Sequence, residues 1–173
     1  MLCPLCEFDN IDGVDLCESC GQPLVEFDPT GSDLEQSITR HSVDVLCPKE
    51  PVAVAPTAPV RDAVQRMVSN KIGCLLVVDR GELVGVFSER DVLNKIASNL
   101  ERLDRPVGEF MTPSPASLIR QDSIAYALHL MKLGGYRHLP VVNEAGKPIG
   151  IISIRDILRF LCIRFAELRS QVN

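Results

Sequence analysis

Two stretches of this 173-residue chain carry residue types at spacings that could do chemistry. The first holds Cys3-Pro-Leu-Cys6 and Cys17-Glu-Ser-Cys20-Gly21, two CxxC pairs with ten residues between them. A CxxC turn lets two thiolates meet one metal, and two such turns complete a tetrahedral site. Gly21 suits the tight backbone that follows such a knuckle. A segment this short cannot bury a core, so a metal must hold it together. Four thiolates leave no open coordination position, so the metal at Cys3, Cys6, Cys17 and Cys20 is expected to be structural.

The second stretch occurs twice: GVFSERDVL at 85–93 and GIISIRDIL at 150–158. Ser88-Glu-Arg-Asp91 and Ser153-Ile-Arg-Asp156 both have the form of a helix capping box, with Asp in place of the preferred Glu. Capping accounts for Ser and Asp. It does not account for the Gly three residues earlier, or for Arg in the first turn, where it opposes the helix dipole. A ligand accounts for all four. Free N–H groups at a helix start attract phosphate, and Arg adds a forked donor for its oxygens. Asp can accept from both hydroxyls of a ribose, and Gly lets backbone and base come close. The candidates for a nucleoside phosphate are Gly85, Val86, Ser88, Arg90 and Asp91, with Gly150, Ile151, Ser153, Arg155 and Asp156. Capping alone stays open as the alternative.

The elements that position these motifs are duplicated as well. With a shift of 64, Val43 falls on Val107, Pro51 on Pro115, Ala63 on Ala127, Met67 on Met131 and Leu75 on Leu139. One inserted residue in NEAGKP moves the shift to 65, and the two motifs then coincide. Each unit is expected to run extended segment (52–54 or 116–118), helix, strand, strand, helix. The first helix shows apolar spacing at Val60, Ala63, Val64 and Met67, or at Ile124, Ala127, Leu128 and Met131. The strands are read at 75–78 and 83–87, and at 139–142 and 149–152, joined by the turns DRGE and NEAGKP. Each unit is marginal alone and should pack on its twin. The final helix, 154–170, runs longer than its partner, and its apolar stripe suggests a further packing surface. Upstream, FDPTGSD at 27–33 reads as a loop. Ser32-Asp-Leu-Glu35 reads as a capping box opening a short helix with Leu34, Ile38 and His41 on one face.

Composition narrows the function classes. The hydrophobic fraction of 46% and charged fraction of 24% are ordinary for a globular protein. The longest apolar run is too short for a bilayer span, and the N-terminus lacks the features of a secretory signal. Residues 1–40 hold nine acids and one base, whereas the rest holds 14 acids and 17 bases. An acidic N-terminal segment has the wrong sign for a phosphate backbone, and few aromatics argue against base stacking. Seven cysteines, four clustered and three scattered, do not make a disulfide framework; they fit a reducing compartment, hence the cytoplasm. Cys47, Cys74 and Cys162 lie in apolar contexts and read as core thiols. His41 and His129 read as structural histidines. No triad, acid/base pair or hydrolysis loop stands out, so an enzyme is not expected.

CPLC…CESCGQPL resembles the short zinc ribbons common at prokaryotic N-termini, over about residues 1–25. The resemblance implies a structural zinc on four cysteines; a rubredoxin-like iron centre, which uses CPxCG knuckles around a longer insert, is the rival. The duplicated β-α-β-β-α order with its GhhSxRD ending resembles the CBS domain, and two in tandem resemble a Bateman module. This implies an α/β fold of two pseudo-symmetric repeats with two clefts between them, plus the metal-bound ribbon. The expected division is ribbon 1–25, linker and short helix 26–41, repeat one 42–100, repeat two 107–163 and a helical extension 164–173.

In that family the motif binds adenosyl ligands: AMP, ADP, ATP, S-adenosylmethionine or NAD. By resemblance Asp91 and Asp156 are ribose ligands, and Ser88 and Ser153 sit near ribose and phosphate. Each ligand takes its ribose contact from one copy and its phosphate contacts from the other. Tyr136-Arg137-His138 is similar to the basic pair before Leu-Pro-Val in AMP-activated kinase γ subunits, with Arg and His in swapped order. Copy one has Ile72-Gly73-Cys74 there, with no charge. The Asp91 cleft, with Ser88 of its own copy and Arg137, His138 and Arg155 of the other, is therefore expected to be the better phosphate site and the one occupied; the Asp156 cleft has Ser153 and only Arg90 opposite. Three functions follow: a homodimeric nucleotide sensor with an unidentified protein partner; a ligand-free dimerisation or scaffold module whose ribbon docks a partner; and a nucleic-acid regulator, which the acidic ribbon counts against.

Overall fold

The computed structural model describes residues 2–3, 6–11, 14, 16–21 and 33–171. The 27–32 loop, the Ser32 cap and the last positions of the expected ribbon lie outside the described residues, as does the Leu34 side chain. The elements are α1 (Asp33–Arg40), β1 (Ala53–Val54), α2 (Val60–Asn70), β2 (Cys74–Asp79), β3 (Glu82–Ser88), α3 (Glu89–Asp91), β4 (Thr112–Pro113), α4 (Ile124–Gly134), β5 (His138–Val142), β6 (Pro148–Ser153) and α5 (Ile154–Gln171). This is the mixed α/β class expected, with helix, strand, strand, helix in each repeat. The opening segments are weaker than expected. β1 has two residues, and 116–118 contributes a single parallel bridge, Leu118 to Val141.

The chain divides into two compact units drawn from both repeats. One takes Lys49–Ile119 and His138–Ile151. Its main sheet has the order β1-β2-β3-β4, with β1 parallel to β2 and the other pairs antiparallel. β5 pairs with β6. The helix α2 lays Val60, Ala63 and Met67 against Leu75, Val77 and Phe87, with Val54, Ile96 and Val107 completing the core. These are the apolar positions expected to face inward, and burying one such side chain contributes roughly 1.5–3 kcal/mol. After α3 the backbone widens into a π-helix, Val92–Ile96.

The other unit takes Met1–Pro48, Arg120–Arg137 and Ile152–Asn173. The side chain of Ser123 caps α4 by accepting from the Tyr126 N–H. On α5, Ile157 is buried while Leu158, Ile163 and Phe165 are about half exposed. Two expectations fail here. Cys162 is exposed because it sits on that outward stripe of α5, and Cys47 is exposed at the left-handed end (φ 51°) of a short 3-10 turn, Val43–Leu46. Only Cys74 of the three is a core thiol.

The duplication extends to the backbone in a way that links the repeats. The Val43 N–H donates to the Asp122 carbonyl, and the Asp44 N–H to the Arg120 carbonyl. Sixty-four residues later, the Val107 N–H donates to the Ala58 carbonyl and the Gly108 N–H to the Pro56 carbonyl. Likewise Lys49 bridges to Ile151 of β6, and Thr112 of β4 pairs with Val86 of β3. The leading segment of each repeat is thus hydrogen-bonded to the body of the other.

Candidate functional site

The two CxxC turns bring all four sulfurs within 4.8 Å of one another. Cys3 Sγ lies 3.7 Å from Cys20 Sγ, and Cys6 Sγ 3.6 Å from Cys17 Sγ. Disulfide sulfurs would sit at about 2.05 Å. A tetrahedron with metal–sulfur bonds of about 2.3 Å has edges of about 3.8 Å, so the spacing fits one zinc-sized ion. The knuckles are built alike. The Glu7 N–H donates to the Cys3 carbonyl and the Gly21 N–H to the Cys17 carbonyl, and both residues have positive φ, 57° and 68°. Asn10, buried, ties the two halves: its amide donates to the Phe8 carbonyl and its Oδ1 accepts from the Glu18 N–H. Burial opposes ionisation of Cys17, but donors from Cys20, Ser19, Asn10 and Cys6 outweigh it and hold the thiol at about 6. Burial raises Cys6 instead.

The sulfur cluster is seated on helices. Cys3 and Cys17 pack with Ala125, and Tyr126 and Ile38 close over them. His129 Nε2 bonds the Cys20 carbonyl, which assigns this histidine a structural task. His41 is structural as well: its Nδ1–H donates to the Ser37 carbonyl and its ring meets Phe160 edge-on at 5.3 Å.

The second site exists in two local copies. In each, one carboxylate oxygen accepts from the backbone and hydroxyl of the serine: Asp91 from Ser88 and Asp156 from Ser153, at 2.9 and 2.6 Å in both. The sequence-derived pairs are therefore brought together within each repeat. Gly85, Val86, Ser88, Arg90 and Asp91 lie in one unit with His138, Gly150 and Ile151; Arg137, Ser153, Arg155 and Asp156 belong to the other. Gly85 has a second reason to be glycine. A Cβ there would come within 2.4 Å of Met111 Sδ and 3.1 Å of the Thr112 carbonyl. Two partners were missed. Asn10 has no signal in isolation. Lys95, 2.7 Å from Asp91 Oδ1, was legible as an Asp–Lys pair at i, i+4.

The family model of the CBS domain matches residues 43–98 and 107–163. The chain belongs to the CBS domain family. It is 37% identical over 109 residues to an uncharacterized 17.7 kDa protein in the bps2 3′ region of Acidianus ambivalens, with 62% of this chain and 65% of that one covered. It is 30% identical over 124 residues to the CBS domain-containing protein CBSCBSPB1 of Arabidopsis thaliana, with 70% and 23% covered. The chain thus spans less than two thirds of the length of either relative. Among solved structures, a CBS-domain containing protein from Agrobacterium tumefaciens superposes with a TM-score of 0.63 at 28% identity, covering 68% of this chain and 96% of that one. A CBS domain protein from Pyrobaculum aerophilum complexed with AMP gives 0.65 at 29% identity, covering 73% and 98%. The matched CBS segments leave the four-cysteine cluster outside them. No described helix is long and apolar enough to cross a membrane.

Proposed function

We propose that this CBS pair is a non-catalytic regulatory module that binds an adenosine nucleotide: AMP, ADP or ATP, with NAD and S-adenosylmethionine as wider members of the class. The observation that carries the reading is the twice-built Ser–Asp pair at a strand-to-helix junction, each with an arginine between the two residues. The AMP complex of the Pyrobaculum aerophilum relative supports it. In this reading Asp91 and Asp156 take ribose hydroxyls, and Ser88 and Ser153 flank them. Arg90, Arg137, His138 and Arg155 supply phosphate contacts, and Gly85, Val86, Gly150 and Ile151 offer backbone to the base. Zinc on Cys3, Cys6, Cys17 and Cys20 staples the ribbon. The proposed division is ribbon 1–25, linker and helix 26–41, repeats 42–100 and 107–163, and extension 164–173. The protein works in the cytoplasm as a homodimer, the outward apolar stripe of α5 being part of the surface it covers, and signals to a protein partner.

A ligand-free scaffold is the second reading, and one observation favours it: Asp91 is buried and already engaged by Ser88 and Lys95. Native mass spectrometry of protein taken directly from cells separates the two. One zinc per chain, a bound adenosine nucleotide and a dimer mass are expected. Failure of all five ligands to give heat in calorimetry, with no nucleotide in the native spectrum, would leave the scaffold reading standing. Iron, or no metal after purification without chelator, would overturn the zinc assignment, and a monomer in light scattering the dimer.

A further inference from the structure

The two Ser–Asp pairs are locally identical, yet their helices diverge one turn later. A carboxylate has about four acceptor positions, two on each oxygen. In both repeats the serine N–H and hydroxyl take two positions on Oδ2. A vicinal diol must then be met largely by Oδ1. In repeat one, Asp91 Oδ1 already receives the Lys95 ammonium at 2.7 Å, on a carboxylate whose side chain is only 8% exposed. The lysine is itself anchored, since its Nζ also donates to the Phe110 carbonyl at 2.6 Å. Its own carbonyl accepts from Arg102. The π-helix, Val92–Ile96, contains Lys95, and such widened turns mark functional positions more often than chance. In repeat two the helix stays α, and the residue aligned with Lys95 is Phe160, whose ring lies against His41.

We propose that Lys95 is a tethered internal occupant of the repeat-one ribose position, so that a ligand diol reaches Asp91 only by displacing the lysine. This rests on the nucleotide reading above. It makes the Asp91 site fill at a higher concentration than it would with the lysine removed. Displacement also frees the Phe110 carbonyl, just ahead of β4, so filling the Asp91 site disturbs the leading segment of repeat two, which pairs with β3 of repeat one.

The test is calorimetry with AMP in an Asp156→Ala background, which isolates the Asp91 site. Adding Lys95→Met should tighten AMP binding about tenfold, the scale of one lost charge-assisted competitor. Lys95→Arg, which keeps the cation, should not. The gain should vanish when Asp91→Asn is added, and for 2′,3′-dideoxyadenosine monophosphate, which lacks the diol. If Lys95→Met does not fold, Lys95→Gln, which removes the charge and keeps a polar side chain, takes its place with the same expected gain. Unchanged or weaker AMP binding by Lys95→Met or Lys95→Gln overturns the inference and leaves nucleotide binding intact. No AMP binding by wild type or any variant overturns both.

Discussion

Glu7 and Gly21 fill the same place in the two cysteine knuckles, and only one is suited to it. Glu7 holds φ at 57°, where its Cβ crowds the backbone, while glycine meets no such contact. Glu7→Gly should therefore raise the stability of the metal-loaded protein by about 1 kcal/mol. Thermal unfolding at fixed metal would read the change, and a fall in midpoint would show that the Glu7 side chain matters more than its strain. Cys74 makes a different case. Burial, aided by the nearby Asp91 carboxylate, pushes its thiol up to about 12. At pH 8 only about one molecule in ten thousand carries the reactive thiolate. Iodoacetamide should thus label Cys47 on the native protein and spare Cys74. Because the folded value lies above that of the unfolded thiol, the contribution to stability is full below about pH 9 and is lost as pH rises toward 12. Cys74→Ala should flatten that alkaline decline in denaturant titrations. The cysteines show what one-dimensional context can and cannot tell. The CxxC spacing carried the cluster outright, but an apolar neighbourhood was no guide to Cys162, since a helix in apolar sequence still has an outer face.

Among the elements, β3 is the most constrained, lying between β2 and β4. Gly85 sits where Met111 crosses it, and an added methyl group would meet both a side chain and the Thr112 backbone. Gly85→Ala should cost about 1–3 kcal/mol by overpacking. Met111→Ala in the same chain should return part of that loss, because the Met111 sulfur is the nearest obstacle. Equal destabilisation in the single and double variants would mean that the Thr112 backbone sets the limit. The sequence pattern found β2, β3, β5 and β6 almost to the residue, because β-branched runs between turn residues are local information, but it placed the extended segment of repeat two at 116–118 and missed β4. It did not find the π-helix at Val92–Ile96, which no composition rule marks, nor the exchange of leading segments between repeats. That exchange is made by backbone hydrogen bonds of Val43, Asp44, Val107 and Gly108, and backbone atoms leave no trace in residue identity. The glycine of the repeated motif was visible, but a sequence cannot say whether the space beside it holds a ligand or a methionine.

At the scale of the whole molecule, one of the two compact units carries a four-cysteine cluster in addition to its aliphatic contacts. The unit containing the main sheet has an aliphatic core of its own, from Val54 and Val60 through Leu75, Val77 and Phe87 to Val107. The other unit also buries aliphatic side chains, among them Val43, Ile124, Met131, Ile152 and Ile157, and adds a buried cluster around Ala125 that consists largely of cysteines, with Ile38 and Tyr126 packed on it. His129 on α4 and the Cys20 carbonyl add a polar tie. Four unligated thiols cannot replace a metal there, since folding free energy in such sites is largely binding free energy. Removing the ion with a chelator and a reversible thiol reagent should therefore act unevenly. Hydrogen exchange should accelerate at residues 2–21 and along the facing parts of α1 and α4, whereas α2, β2 and β3 should keep their protection. Restoring one equivalent of zinc per chain should restore the slow exchange. If protection is lost to the same extent in α2, β2 and β3, the metal supports the whole fold cooperatively. If α4 exchanges at the same rate with and without metal, the ribbon is an appendage and its packing on Ala125 and Tyr126 contributes nothing to the helices beneath it.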